Sequence, residues 1–191
     1  MDHHATTPTD PRVVDLMQPF FSTKFGNPAS RHHSFGWEAR DAVNAARVQV
    51  SRLVGCDARE IVFTSGATES NNLAIKGCLK SVSRPARIVT VNTEHRAVLD
   101  PCRQLENEGV CVTYVPPRED GLVDVNEIEK ALTPETVLLS VMTANNEIGV
   151  LQPMAELSAL AHRHSVLFHT DATQAVGKVP FSARALDVDL V

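Results

Sequence analysis

No part of this sequence is crowded with lysine or arginine, and no block of like charge interrupts it. The net charge is −5 over 191 residues. Such a mildly acidic chain gives no electrostatic footprint for nucleic acid or for an anionic lipid surface. It also lacks any apolar run near the roughly 20 residues that a membrane-spanning helix needs. Its first residues, Met1-Asp2-His3-His4, have neither the basic nor the apolar region of a secretion signal. The expected location is therefore the cytoplasm, or an organelle (the mitochondrion in a eukaryote) whose targeting segment is not in the sequence. The four cysteines, Cys56, Cys78, Cys102 and Cys111, form no C-x-x-C pair and match no zinc-ligand spacing. They are expected to be small buried hydrophobes without a disulfide framework. His3-His4 and His32-His33 are adjacent and their side chains diverge. His162 and His164 are two apart, which does not put them on one helix face. No metal site is expected. Internal repeats and low-complexity linkers are absent too.

What is present is an alternation of helical and extended patterns. Helices are predicted at about Pro11–Phe21, Trp37–Val54, Glu69–Leu79, Arg96–Glu108, Val125–Leu132 (with Asp124 as its N-cap) and Met154–Arg163. Short apolar runs predict strands at Ile61–Phe63, Ile88–Val91, Val110–Val115, Val137–Met142 and Val166–His169. The fold class is accordingly α/β, a mostly parallel sheet flanked by helices on both faces. Ligands of such sheets gather where strands end and helices begin, so the unusual residues at those ends carry the functional reading.

Four segments qualify. Thr64-Ser65-Gly66-Ala67-Thr68-Glu69-Ser70-Asn71-Asn72 joins a predicted strand to a helix; Thr68 or Ser70 can cap it, and its first-turn N–H groups suit a phosphate. An ordinary cap with a Glu in the first turn fits the same residues. Thr93-Glu94-His95 opens the next helix, where His95 can stack on a flat ligand, act as an acid–base group, or simply cap. Thr143-Ala144-Asn145-Asn146-Glu147-Ile148-Gly149 offers two amides that can orient a ligand or make a turn. His169-Thr170-Asp171-Ala172-Thr173-Gln174-Ala175-Val176-Gly177 brings Asp171 to the same rim, as a helix cap or as a carboxylate seeking a cation. Each segment alone is ambiguous. Together they supply a phosphate cradle, a ring-stacking His, amide donors and an acidic partner for a protonated ring nitrogen, an inventory that matches pyridoxal 5'-phosphate.

These segments also carry a resemblance. With Asp2-His3-His4-Ala5-Thr6-Thr7-Pro8, Phe25-Gly26-Asn27-Pro28-Ala29-Ser30 and the extension to Lys178, they occur in the order found in cysteine desulfurases of the NifS/IscS type. That group belongs to the class V aminotransferases among fold-type I pyridoxal-phosphate enzymes. The resemblance implies that Ala67 and Thr68 hold the cofactor phosphate, that His95 stacks on the ring and assists proton transfers, and that Asp171 pairs with the ring nitrogen. Gln174 and Asn146 would contact the ring oxygen or the substrate side. It implies conversion of L-cysteine to L-alanine, with the sulfur left as an enzyme persulfide and passed to acceptor and scaffold proteins of iron–sulfur assembly or to tRNA thiolation. A homodimer is implied for the full-length form. A selenocysteine lyase, another class V enzyme or a non-catalytic truncated paralogue would share the same residues.

The sequence departs from the family in one respect. The family's Schiff-base lysine stands in a Ser-x-His-Lys motif shortly after a segment like Val188-Asp189-Leu190-Val191. None of the five lysines, Lys24, Lys76, Lys80, Lys130 and Lys178, stands in such a motif, and none of the cysteines matches the persulfide position. The resemblance thus implies an incomplete large domain at 16–191, lacking its C-terminal side. It implies a 1–15 segment that packs with a small domain supplied by sequence not present here. The 191 residues alone are expected to bind cofactor weakly and not to turn over cysteine.

Overall fold

Asp10 precedes Pro11, and its carboxylate accepts the N–H of Arg12, so the first helix starts where a cap and a proline coincide. In a computed structural model, which describes residues 3, 5–80, 82 and 85–191, this helix is α1, Pro11–Ser22. Asp2 and His4 of the first family-like stretch lie outside the described residues. A second helix, α2, Ser34–Val54, is capped by His33 and ends at Gly55. Gly55 has φ 81°, and the N–H groups of Gly55 and Cys56 return to the Ser51 carbonyl. A 3-10 turn follows at Ala58–Glu60, fixed by reciprocal bonds between Asp57 and Glu60. These elements belong to one compact unit, Met1–Val62; the remainder, Phe63–Val191, forms another.

The second unit holds helix α3 (Ala67–Lys80), strand β1 (Arg87–Val91), helix α4 (Arg96–Asn107), strand β2 (Cys111–Val115) and helix α5 (Val125–Ala131). Strand β3 (Thr136–Ser140), helix α6 (Met154–Arg163), strand β4 (Leu167–His169) and the short helix α7 (Ala183–Leu186) complete it. Asp124 caps α5 as expected. The four strands are all parallel, in the order β2-β1-β3-β4. Successive strand residues point to opposite faces, and the packing follows that period. Ile88 and Leu138 meet Ile75, Val98, Cys102 and Leu105 of α3 and α4. Val89, Val91, Leu139 and Phe168 meet Ile128, Leu157 and Leu160 of α5 and α6. Each such side chain contributes about 1.5–3 kcal/mol by leaving water.

Two expectations are corrected. Ile61-Val62-Phe63 is not a strand: it has no ladder partner among the described residues, and Val62 and Phe63 are 66% and 49% exposed. An apolar run becomes a strand only when another strand takes up its N–H and C=O groups. The four cysteines are in no disulfide but are not uniformly buried. Cys102 is buried, Cys56 and Cys78 are half-buried, and Cys111 is exposed on the edge strand β2. Beside β4 the chain begins another pairing: Thr170 donates to the Leu190 carbonyl at 3.0 Å, and Leu190 donates to that of Phe168 at 3.1 Å. Among the described residues no helix is long and apolar enough to cross a membrane, and no three His, Cys, Asp or Glu residues are grouped to share a metal ion.

Candidate functional site at the C-terminal edge of the sheet

Because all four strands run the same way, their C-terminal ends share one edge. The register pairs Thr90 with Ser140, and Ser140 with His169. The segments after β1, β3 and β4 therefore leave the sheet side by side, and hydrogen bonds continue beyond the strands. Thr143 donates its N–H to the Asp171 carbonyl at 3.0 Å. Its hydroxyl lies 2.8 Å from that of Thr170.

Asp171 is buried at this edge, 7% exposed. Its Oδ2 accepts from Asn71 Nδ2 at 2.8 Å, and its Oδ1 accepts from the Thr173 N–H at 2.9 Å. The helix-cap alternative for Asp171 does not hold, since residues 173–178 form turns rather than a helix. The bond to Asn71, 100 residues away, ties α3 to the end of β4. It places the first turn of α3 in the same neighbourhood as the carboxylate.

That first turn is built differently from the sequence expectation. Neither Thr68 nor Ser70 caps it. Instead Glu69 reaches back, its Oε2 accepting from both the N–H and the hydroxyl of Ser65 at 2.6 Å. These bonds, the hydroxyl one foremost, hold the Glu69 carboxyl below its ordinary range. Thr64 and Ser70 hydroxyls meet at 2.7 Å. Ala67 and Thr68 are exposed, and the first-turn N–H groups of a helix have no acceptor within it. They form a donor set suited to an anion.

His95 is exposed and caps α4, its Nδ1 accepting the Ala97 N–H at 3.0 Å. An imidazole that accepts at Nδ1 carries its proton on Nε2. Cap and candidate ligand-facing group are thus one residue, with the ring oriented by the cap. Of the two adjacent amides, Asn145 is buried and structural. Its Nδ2 donates to the Thr93 carbonyl at 2.9 Å, and its Oδ1 accepts the N–H groups of Glu147 and Ile148. Asn146 is half-exposed beside it. Gln174, also half-exposed, accepts from Lys178.

Three buried groups here escaped sequence reasoning. Asn71 lay within the phosphate-loop segment without a role. Glu94 is 5% exposed, and its Oε1 accepts the Met142 N–H at 2.6 Å. Burial pushes its carboxyl up to about 8. His169 meets the Ser140 hydroxyl through Nδ1 at 2.8 Å, and burial pulls its imidazole down to about 4, so it stays neutral.

Comparison with known proteins places this arrangement. The model of the aminotransferase class-V family matches residues 1–191. The chain belongs to that family. Among class-V relatives, the cysteine desulfurase IscS of Rickettsia rickettsii (strain Iowa) is 53% identical over 191 residues, covering 100% of this chain and 47% of that protein. IscS of Glaesserella parasuis serovar 5 is 55% identical over 194 residues, covering 48% of its length. A solved NifS-like protein superposes with a TM-score of 0.95 at 40% identity, over 98% of this chain and 52% of that one. The apo cysteine desulfurase of Thermococcus onnurineus NA1 gives 0.91 at 28% identity, over 98% and 47%. The class-V chain described here thus spans about half the length of the curated relatives it matches.

Proposed function

We propose that this chain forms the cofactor-binding half of a pyridoxal-phosphate-dependent cysteine desulfurase. The observation that carries the reading is Asp171. A carboxylate is costly to bury without a cation, and this one is oriented by Asn71 and Thr173 at the sheet edge where ligands of parallel sheets bind. A protonated pyridine nitrogen would be its counter-ion. The donor set fits the rest of the cofactor: the α3 first turn at Ala67 and Thr68 for the phosphate, and the exposed, cap-oriented ring of His95 for stacking. Asn146 and Gln174 stand toward the ring oxygen and the substrate. When bound, the cofactor supplies an electron sink for charge developing on the substrate carbon. Asp171 keeps that sink effective by holding a proton on the ring nitrogen, and His95 Nε2 is the group available to pass protons.

Sulfur transfer needs a thiolate. Burial pushes the Cys78 thiol up to about 11 and that of Cys102 up to about 12, which removes both from consideration as nucleophiles. The Schiff-base lysine and the persulfide cysteine belong to the half of the family's length that the 191 residues do not cover, as does a small domain packing near residues 1–15. L-cysteine as substrate, iron–sulfur acceptor proteins as partners, a homodimer and a cytoplasmic setting follow from this reading. The 191 residues alone are expected to bind cofactor weakly and to release no sulfide.

Amide NMR tests the site. Pyridoxal phosphate is expected to shift the resonances of Ala67, Thr68, His95 and Gln174, and inorganic phosphate those of Ala67 and Thr68 alone. Asp171→Asn is expected to weaken pyridoxal phosphate about tenfold, the loss of one charge-assisted bond, and to leave phosphate unaffected. Shifts confined to other residues, or an Asp171→Asn variant that binds as the wild type does, would sink the proposal.

A further inference from the structure

Strand β3 ends at Ser140, so the N–H of Met142, two residues further on, lies outside the strand ladder. Glu94 supplies an acceptor, its Oε1 taking that N–H at 2.6 Å. The same turn is tied again one residue earlier, where the Thr93 carbonyl accepts from Asn145 at 2.9 Å. Glu94 itself donates its backbone N–H to the Val91 carbonyl at 3.3 Å. The next residue is His95, whose ring is held from the other side by the Ala97 N–H.

We propose that Glu94 is a positioning residue for His95, fastening the turn that carries it to the C-terminal end of β3 and so setting the plane of the imidazole. The inference rests on the reading that His95 faces the cofactor ring. The carboxyl works as a neutral hydrogen-bond acceptor. It is buried, its Oε2 has no partner among the described residues, and the charged group nearest to it in effect is Asp171, which disfavours a second anion. The other titratable neighbour, Cys102, is a neutral thiol. A neutral Glu94 leaves the negative charge of the site floor on Asp171, where the ring nitrogen would need it. Shape and acceptor capacity, not charge, are what the position requires. Glutamine has both, whereas aspartate is one methylene too short to reach Met142.

The test compares Glu94→Gln, Glu94→Asp and Glu94→Ala in the 191-residue chain, with and without ligand. In the ligand-free proteins, Glu94→Ala is expected to shift the His95 ring resonances and to speed Ala97 amide exchange about tenfold. Glu94→Gln is expected to restore both, and Glu94→Asp to fail. In titrations, Glu94→Ala is expected to reduce the preference for pyridoxal phosphate over inorganic phosphate about fivefold or more, with phosphate affinity unchanged. A purely structural role would lower both affinities together. The proposal is overturned by a Glu94→Ala variant that moves Met142 but leaves His95 and Ala97 unchanged, or by Glu94→Asp rescuing where Glu94→Gln does not. A wild-type chain with no preference for pyridoxal phosphate would overturn the cofactor reading instead, and the ligand-free His95 measurement would still decide the role of Glu94.

Discussion

His162 meets two carboxylates at once, Asp187 through Nδ1 at 3.0 Å and Asp189 through Nε2 at 2.9 Å. The hydrogen bond it donates to Asp189 is the main reason its imidazole is raised above 6.5, and Asp187 adds to it. The same Asp189 oxygen accepts the Phe168 N–H at 2.8 Å, so the clamp holds the last residues beside β4. A raised histidine contributes fully below its unfolded value near 6.5 and loses that contribution as pH rises through the folded value. His162 is part-exposed, so the stabilisation is about 0.2–1 kcal/mol after solvent screening. Thermal melts at about pH 6 and pH 8.5 are expected to differ by roughly 1–4 °C more in the wild type than in His162→Gln, the acidic sample melting higher. A variant with the same pH slope as the wild type would count against the clamp. Asp171 gives a second residue-scale expectation. Asp171→Ala leaves the Asn71 amide without its acceptor in a buried setting, at a cost of about 1–3 kcal/mol measurable by urea denaturation. The sequence marked Asp171 because a carboxylate at a strand end is conspicuous. It did not mark Asn71 as its partner, because a contact across 100 residues leaves no local pattern. Glu94 was passed over for a related reason: a Glu at a helix start looks solvated until burial shows otherwise.

At the scale of elements, periodicity carried most of the information. The runs at Ile88–Val91, Val110–Val115, Val137–Met142 and Val166–His169 became β1 to β4 with ends shifted by one or two residues, and the central strands β1 and β3 are apolar on both faces and covered by helices on both. Ile61-Val62-Phe63 has a similar composition but stands outside the sheet, and composition alone does not distinguish the two cases. Helix α7, four residues long, is too short to show a period. The family-like stretch at residues 25–30 has a steric logic that only the structure reveals. A Cβ on Gly36, in the first turn of α2, would sit 2.1 Å from the Ser30 carbonyl oxygen, and one on Gly26 would sit 2.1 Å from that of Phe35. Two glycines thus let the 26–30 loop lie directly on the start of α2. Gly36→Ala must displace backbone, so a destabilisation of about 1–3 kcal/mol is expected, as for other overpacked sites. The control is Gly77→Ala, which meets nothing within 4 Å and exchanges glycine for a better helix former. It is expected to raise the melting temperature. Equal melts for the two variants would remove the close-approach argument.

Over the whole molecule, the two compact units differ in how much they bury. In residues 63–191 a sheet with two covered faces accounts for both large core clusters. In residues 1–62, only Gly36, Ala39 and Ser51 are buried among the described helical residues, while Val13, Leu16, Met17, Phe20 and Phe21 of α1 stand exposed. These five recur at three- and four-residue spacing, which makes an apolar stripe. We propose that the stripe and the exposed 61–63 run are both covered by the other half of the family's chain, since the relatives are about twice as long as this one. The consequence for the 191-residue chain is a specific weak point. A protease needs an extended backbone that is not hydrogen-bonded into a ladder, and residues 61–64 have no regular structure with Phe63 half exposed. Brief chymotrypsin treatment is expected to cut after Phe63 well before Tyr114 of β2 or Phe168 of β4, giving pieces that end and begin at residues 63 and 64. Supplying the remaining half of the family's length in the same polypeptide is expected to slow that cut at least about tenfold, because pairing and burial raise the local opening energy. Early cleavage at Tyr114 or Phe168, or a cut after Phe63 that is equally fast in the longer chain, would show that the exposed run is not an unfilled place in the sheet.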